Sequence, residues 1–112
     1  MADITNQIVT KDFYEKTINI IAQNTSFGYS TIALKGINQD LIKEFKFLKG
    51  IHIKGRSVEV NRTINNIEKN ELRNLFRKVI NLVGPNYLKI LLAQKLNPKS
   101  LIYLENLGIK FG

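Results

Sequence analysis

A chain of 112 residues with 44% apolar side chains is long enough for one domain around one core, so a single domain over 1–112 is expected, and it is too apolar for the disordered class. It holds no cysteine, which excludes disulfides, thiolate metal sites and cysteine nucleophiles. Seventeen Lys and Arg against nine Asp and Glu give a net charge of +8, a balance that favours a polyanionic partner, nucleic acid above all, through counterion release.

Other features bound the setting. Ile, Lys and Asn dominate, as in proteins from AT-rich genomes, so codon usage in an AT-rich bacterium, its phages or a mobile element contributes to the lysine excess. The opening "MADITNQIVTKDF" has two acids and no long apolar run, so no secretory signal is expected. The most apolar window, "YLKILLAQKL", contains two lysines and is far short of the ~20 residues that span a bilayer. A cytoplasmic protein without a membrane partner is the expectation, in a host cytoplasm or virion if the source is viral.

Residues 1–9 are expected to fray. "DFYEKTINIIAQN" places Phe13, Tyr14, Thr17, Ile18 and Ile21 on one helical face, with Asp12 and Glu15 as a capping-box-like start, so a helix is expected over 12–24. "TSFGYSTIALKG" reads as turn residues followed by β-branched alternation, which predicts a strand over 29–35 ended by Gly36. "NQDLIKEFKFLKG" predicts a helix over 39–49, with Asn38 as N-cap, Leu41, Ile42, Phe45 and Leu48 inward, and Gly50 as a left-handed stop.

"LKGIHIKGRSVEVNR" then forms a hairpin. A two-residue loop at Gly55 and Arg56 pairs Lys54 with Ser57, Ile53 with Val58, His52 with Glu59 and Ile51 with Val60. The four aliphatic side chains share one face, and glycine first in the loop suits a type II′ turn. Beyond it, Leu72, Leu75, Phe76, Val79 and Val83 define an amphipathic helix that stops at Gly84. Pro85 opens a helix over 86–96, and Asn97 with Pro98 opens the last one, which ends at Gly108. The expected class is therefore α+β, order α-β-α-β-β-α-α-α, with a three-stranded sheet covered by helices.

Two groups of cations are candidates for binding nucleic acid. Lys69, Arg73 and Arg77, four residues apart, stack along one helix face at intervals of about 6 Å. That rise is close to two steps of the roughly 3.4 Å per nucleotide of a DNA strand, so the stripe matches alternate phosphates. None of the three has an acid four residues away, and Asn70, Asn74 and Asn81 flank the stripe with neutral hydrogen-bonding groups. The second group is Lys49, Lys54, Arg56 at the hairpin tip and Arg62, extended by Lys35, Lys43 and Lys46. A protruding cationic tip can lie along a groove, whereas lysines on an edge strand also guard against aggregation.

Catalysis is not expected. His52 opposite Glu59 is one histidine and one carboxylate without a third group or a pocket, and such a couple reads as a cross-strand ion pair. "VINLVGPNYLKILL" is similar over its glycine turn to helix-hairpin-helix elements, which hold phosphates non-specifically. Pro85 and Asn86 stand where the second glycine of that turn belongs, so no residue is carried over and the segment reads as a helix break. Phe13, Phe45 and Phe76 are expected inside; Phe27, Tyr29 and Tyr103 are read as core aromatics before base-stacking ones. No metal or cofactor motif is present.

Two functions follow. The first is a small non-enzymatic nucleic-acid-binding module, DNA or RNA, contacting mainly phosphates with weak sequence preference. The second is a structural or adaptor component that binds another protein, such as a virion or phage-encoded part, with exposed Ile and Leu in the last two helices as its docking surface.

Overall fold

A computed structural model describes residues 4–111. The first helix, α1 (Asn6–Gln23), starts well before Asp12 because the Thr5 side chain accepts the Ile8 N–H and caps it. Asp12 and Glu15 consequently sit mid-helix, paired with Lys16 and Lys11 one turn away. Of the stretch expected to fray, Asn6 and Val9 are buried, and residues 1–3 lie outside the described ones. Ile20 faces the core with Phe13, Tyr14, Thr17 and Ile18; Ile21 is only half-buried.

The second element differs from the expected strand. Residues 29–35 are not a strand but the first half of α2 (Phe27–Leu41), capped by Ser26, whose hydroxyl accepts the Tyr29 N–H at 3.1 Å. Ser30, Thr31, Leu34, Asn38 and Leu41 are its buried residues, a helical spacing. In a strand Ile32 and Leu34 would share a face, whereas on a helix they stand about 200° apart. The structure leaves Ile32 72% exposed and buries Leu34 completely. Among the described residues the sheet therefore has two strands, not three.

Nor is 39–49 one helix. The chain leaves α2 at Leu41 and breaks at Phe45 (φ −122°, ψ 84°) before a 3-10 turn at Lys46–Gly50. That break drops Phe45 and Leu48 into the core. Asn38 is a buried mid-helix residue rather than an N-cap, and Gly50 does not adopt a left-handed conformation.

The hairpin forms in the expected register. β1 (Ile51–Lys54) pairs antiparallel with β2 (Ser57–Val60) as Ile51 with Val60, His52 with Glu59, Ile53 with Val58 and Lys54 with Ser57. Gly55 has φ +62° while Arg56 stays at negative φ, which is what a type II′ loop demands and why glycine stands first. A second 3-10 turn, Arg62–Asn66, leads into α3 (Lys69–Val83), α4 (Pro85–Lys95) and α5 (Pro98–Leu107). Both prolines occupy first-turn positions, where the missing N–H costs nothing.

Aromatic packing joins the first three long helices. The Phe76 ring of α3 lies 4.5 Å from that of Phe13, which meets Tyr14 edge-on at 5.7 Å. Tyr14 in turn donates its hydroxyl to Asn38 of α2 at 2.8 Å. Burial pushes the Tyr14 phenol well above its ordinary pKa, against a smaller opposing effect of the Asn38 bond, and burial raises Tyr103 too. Unfolded tyrosines ionise near pH ~10. Above that pH the folded state binds more protons than the unfolded one, so stability falls as pH rises. Denaturant titrations are expected to show a loss for Tyr14 of up to ~1.4 kcal/mol per pH unit above about pH 10. Tyr14→Phe should flatten that limb; an unchanged slope would assign it to other groups.

Candidate nucleic-acid interface

The three cations of the expected stripe do share one face of α3, but that face packs on α5. Lys69 sits 5.5 Å above the Tyr103 ring. Arg77 donates from Nη2 to the Gly108 carbonyl at 2.9 Å. A β-carbon on Gly108 would lie 3.4 Å from Arg73 Cδ and 3.6 Å from Arg77 Nη2, so both arginines press against the turn that ends α5. Gly108 itself has φ +108°, so glycine is needed there for conformation, while a β-carbon would meet the arginines only at ordinary contact distance. Cations at a helix C-terminus are favourably placed against its dipole. The stripe is thus first a seam between helices. Arg73 is half-buried, and its Nε has no hydrogen-bond partner among the described residues.

At the Gly108 end this seam opens into a cleft of about 370 Å³. Arg77 and Asn81 of α3, Lys89 of α4 and Lys110 of the C-terminal segment line it, with Ile80 and Ile109 behind. Among the described residues none that lines it is acidic. Lys89 and Lys110 also line the adjoining hollow with Asn86. Arg77 is bonded to a neutral carbonyl, so its charge is intact while its position is held. Three cations from three chain segments therefore line one open cleft, an arrangement that fits an anion such as a phosphate.

Lys89 and Lys110 leave no signal in the sequence. They stand twenty-one positions apart, and neither belongs to a run or a helical stripe, so no local pattern marks them. Only the docking of the C-terminal segment against α3 and α4 brings them together.

The hairpin cations are placed differently from expectation. Arg56 does not protrude: its guanidinium carbon lies 3.9 Å over the Phe27 ring at the start of α2. Lys54 pairs with Glu59 at 3.1 Å, an exposed contact of small energetic worth. Glu59 thus bonds Lys54, and although His52 stands opposite it in register, the two form no ion pair. Lys49 and Arg62 are exposed at the two 3-10 turns. The hairpin group and the Arg77 cleft share no lining residue.

A third surface is uncharged. Tyr29, Leu82 and Tyr87, exposed by 59%, 58% and 43%, surround a hollow of about 280 Å³ floored by Ile21, Ala33 and Val83. Tyr29 is thus a surface aromatic; Phe27 and Tyr103 are half-buried. Among the described residues no helix is long and apolar enough to cross a membrane. Comparison with family models, curated proteins and solved structures finds no match to this chain.

Proposed function

We propose that this protein is a small, non-enzymatic nucleic-acid-binding module that holds phosphates at the Arg77, Lys89 and Lys110 cleft. The observation that carries this reading is the convergence of three cations around an opening with no acidic side chain among its described lining residues. Lys69 and Arg73 extend the positive surface along the seam. Because Arg77 is anchored by Gly108, it loses less freedom on binding than a cation at a flexible tip. Contacts of this kind read the backbone and not the bases, so sequence preference is weak.

Fluorescence anisotropy with mixed-sequence DNA and RNA across a salt series tests it. Affinity should fall steeply with salt. Lys89→Ala with Lys110→Ala should lower the salt slope by up to about two units, one per lost phosphate contact, and Lys54→Ala with Arg56→Ala should lower it less. Arg73→Ala with Arg77→Ala is a poorer probe, because it also removes the brace on α5. Absence of binding at low salt would sink the reading, and an unchanged slope in the Lys89 and Lys110 variant would remove the cleft from it.

The uncharged hollow supports a second reading, an adaptor that docks another protein. On a chain of net charge +8, a surface of two tyrosines and a leucine is a contact for apolar side chains. Sedimentation alone and with host lysate separates the two: a monomer that retains only nucleic acid removes the adaptor.

A further inference from the structure

We propose that the outer edge of β1 captures an extended acidic peptide as an added strand, in the groove between β1 and α2. With a two-residue loop, Lys54 bonds Ser57 and His52 bonds Glu59, so the next bonded couple is Gly50 with Asn61. The Asn61 N–H does donate to the Gly50 carbonyl, at 2.7 Å. The peptide groups of Ile51, Ile53, Val58 and Val60 must therefore point away from the hairpin, two residues to each side.

The β2 side is closed by α1. Val58 N–H donates to Glu15, its carbonyl accepts from Lys11, and the Val60 carbonyl accepts from Gln7, at 2.8–2.9 Å. Three helix side chains thus occupy the positions that a neighbouring strand would use.

The β1 side has no such cover. Its Ile51 N–H turns back to the Leu48 carbonyl, which leaves the Ile51 carbonyl and both peptide groups of Ile53 facing outward. Among the described residues β1 has no second neighbour in the sheet. These groups border a groove of about 410 Å³ that follows β1 along its whole length and has α2 as its far wall. An edge strand beside a helix is a geometry that takes up extended peptides, with backbone bonds giving affinity and alternate side chains giving selectivity.

The chemistry of the walls selects the occupant. Half-buried Ile42 supplies an apolar contact, Lys35 and Lys49 are exposed cations of the lining, and among the described residues no acid lines the groove. Lys54 is already matched by Glu59, so Lys35 and Lys49 are the charges awaiting a partner. An added strand has one face toward the apolar wall and one toward solvent and the lysines, so alternating apolar and acidic residues fit. The groove is independent of the Arg77 cleft, with which it shares no residue.

The test is titration of the isotope-labelled full chain with a blocked hexapeptide in which valine alternates with glutamate, followed by backbone NMR and amide exchange. Shifts should centre on 48–54 and 35–42, and the Ile53 amide should exchange at least about tenfold more slowly once the peptide is bound. Lys35→Glu with Lys49→Glu, both exposed in the native fold, should weaken binding about tenfold or more. A peptide of the same charge carrying a central proline should fail to bind, because it lacks the donor and cannot sit in the ladder. Equal affinity for the proline peptide would reduce the contact to ionic adhesion and overturn the proposal. So would an absence of shifts at millimolar peptide, or an oligonucleotide that moves the Ile53 amide where the peptide does not.

Discussion

Asn6→Asp is expected to destabilise the protein by about 3–5 kcal/mol near neutral pH, the range for stranding a buried charge without its partner. Asn6 is only 6% exposed and uses its amide fully. Nδ2 donates to the carbonyls of Ile64 and Ile67, both at 3.1 Å, and Oδ1 accepts from the Tyr103 hydroxyl. One side chain thereby ties the start of α1 to the 3-10 turn before α3 and to α5. An aspartate there would set a carboxylate against two carbonyl oxygens. Asn6→Ala should cost less, about 2–4 kcal/mol, for three bonds of roughly 1 kcal/mol each with some desolvated partners left over. The two variants differ in pH dependence. Burial raises the introduced carboxyl's pKa, so the folded variant binds more protons than its unfolded chain, and its stability rises as pH falls from 7 toward 4. Denaturant midpoints for both variants across that range check this. An aspartate variant no less stable than the alanine one, at every pH, would mean that the site admits water and is not the closed knot described.

The same residue marks where the sequence stops being legible. A polar residue six positions from the start reads as fraying terminus, because its three partners lie 58 to 97 positions away and leave no local trace. The hairpin was legible to the residue because period-2 alternation on both sides of Gly55 admits one register. α3 was legible because its apolar stripe and polar stripe are cleanly divided. α2 resembles a strand locally because Thr31 and Ile32 are β-branched and its buried positions Ser30, Thr31 and Asn38, with Leu34 between them, are mostly polar. Those positions are satisfied inside: Ser30 donates to the Ile18 carbonyl at 2.7 Å and Asn38 accepts from Tyr14. Tertiary hydrogen bonds overrode local propensity.

The candidate site divides in the same way. Cations four apart on α3 are visible in the letters, but whether that stripe meets solvent or another helix depends on where α5 docks. The answer turns out to be both: Lys69 and Arg77 remain exposed while contacting Tyr103 and Gly108. For Glu15, by contrast, an acidic residue one turn from Lys11 looks like ordinary surface pairing. Its second role, accepting the Val58 N–H, seals one edge of the sheet and thereby distinguishes it from the open edge at β1.

Phe76→Ala is the other substitution expected to be severe, at about 3–5 kcal/mol. Its side chain is wholly buried, and its ring packs at 4.5 Å and a 43° tilt on Phe13. Through Tyr14 and Asn38 that contact connects α3 to α1 and α2. Truncation removes the apolar surface that holds three helices together and leaves a cavity which rigid helices cannot collapse to fill. Against the ~5–15 kcal/mol typical of a domain, such a loss brings the protein close to unfolding at room temperature. Phe76→Leu keeps much of the volume and should cost only about 1–1.5 kcal/mol. Because Phe76 anchors α3, the helix that carries Arg77, in the core, the leucine variant should retain nucleic-acid affinity at a temperature where it is folded, and the alanine variant should regain it only on cooling or with stabilising osmolyte. Urea midpoints at constant m-value measure the stability effect. A Phe76→Ala loss below about 1.5 kcal/mol, the level of the conservative substitution, would show that the α1 to α3 contact is looser than a ring distance of 4.5 Å implies.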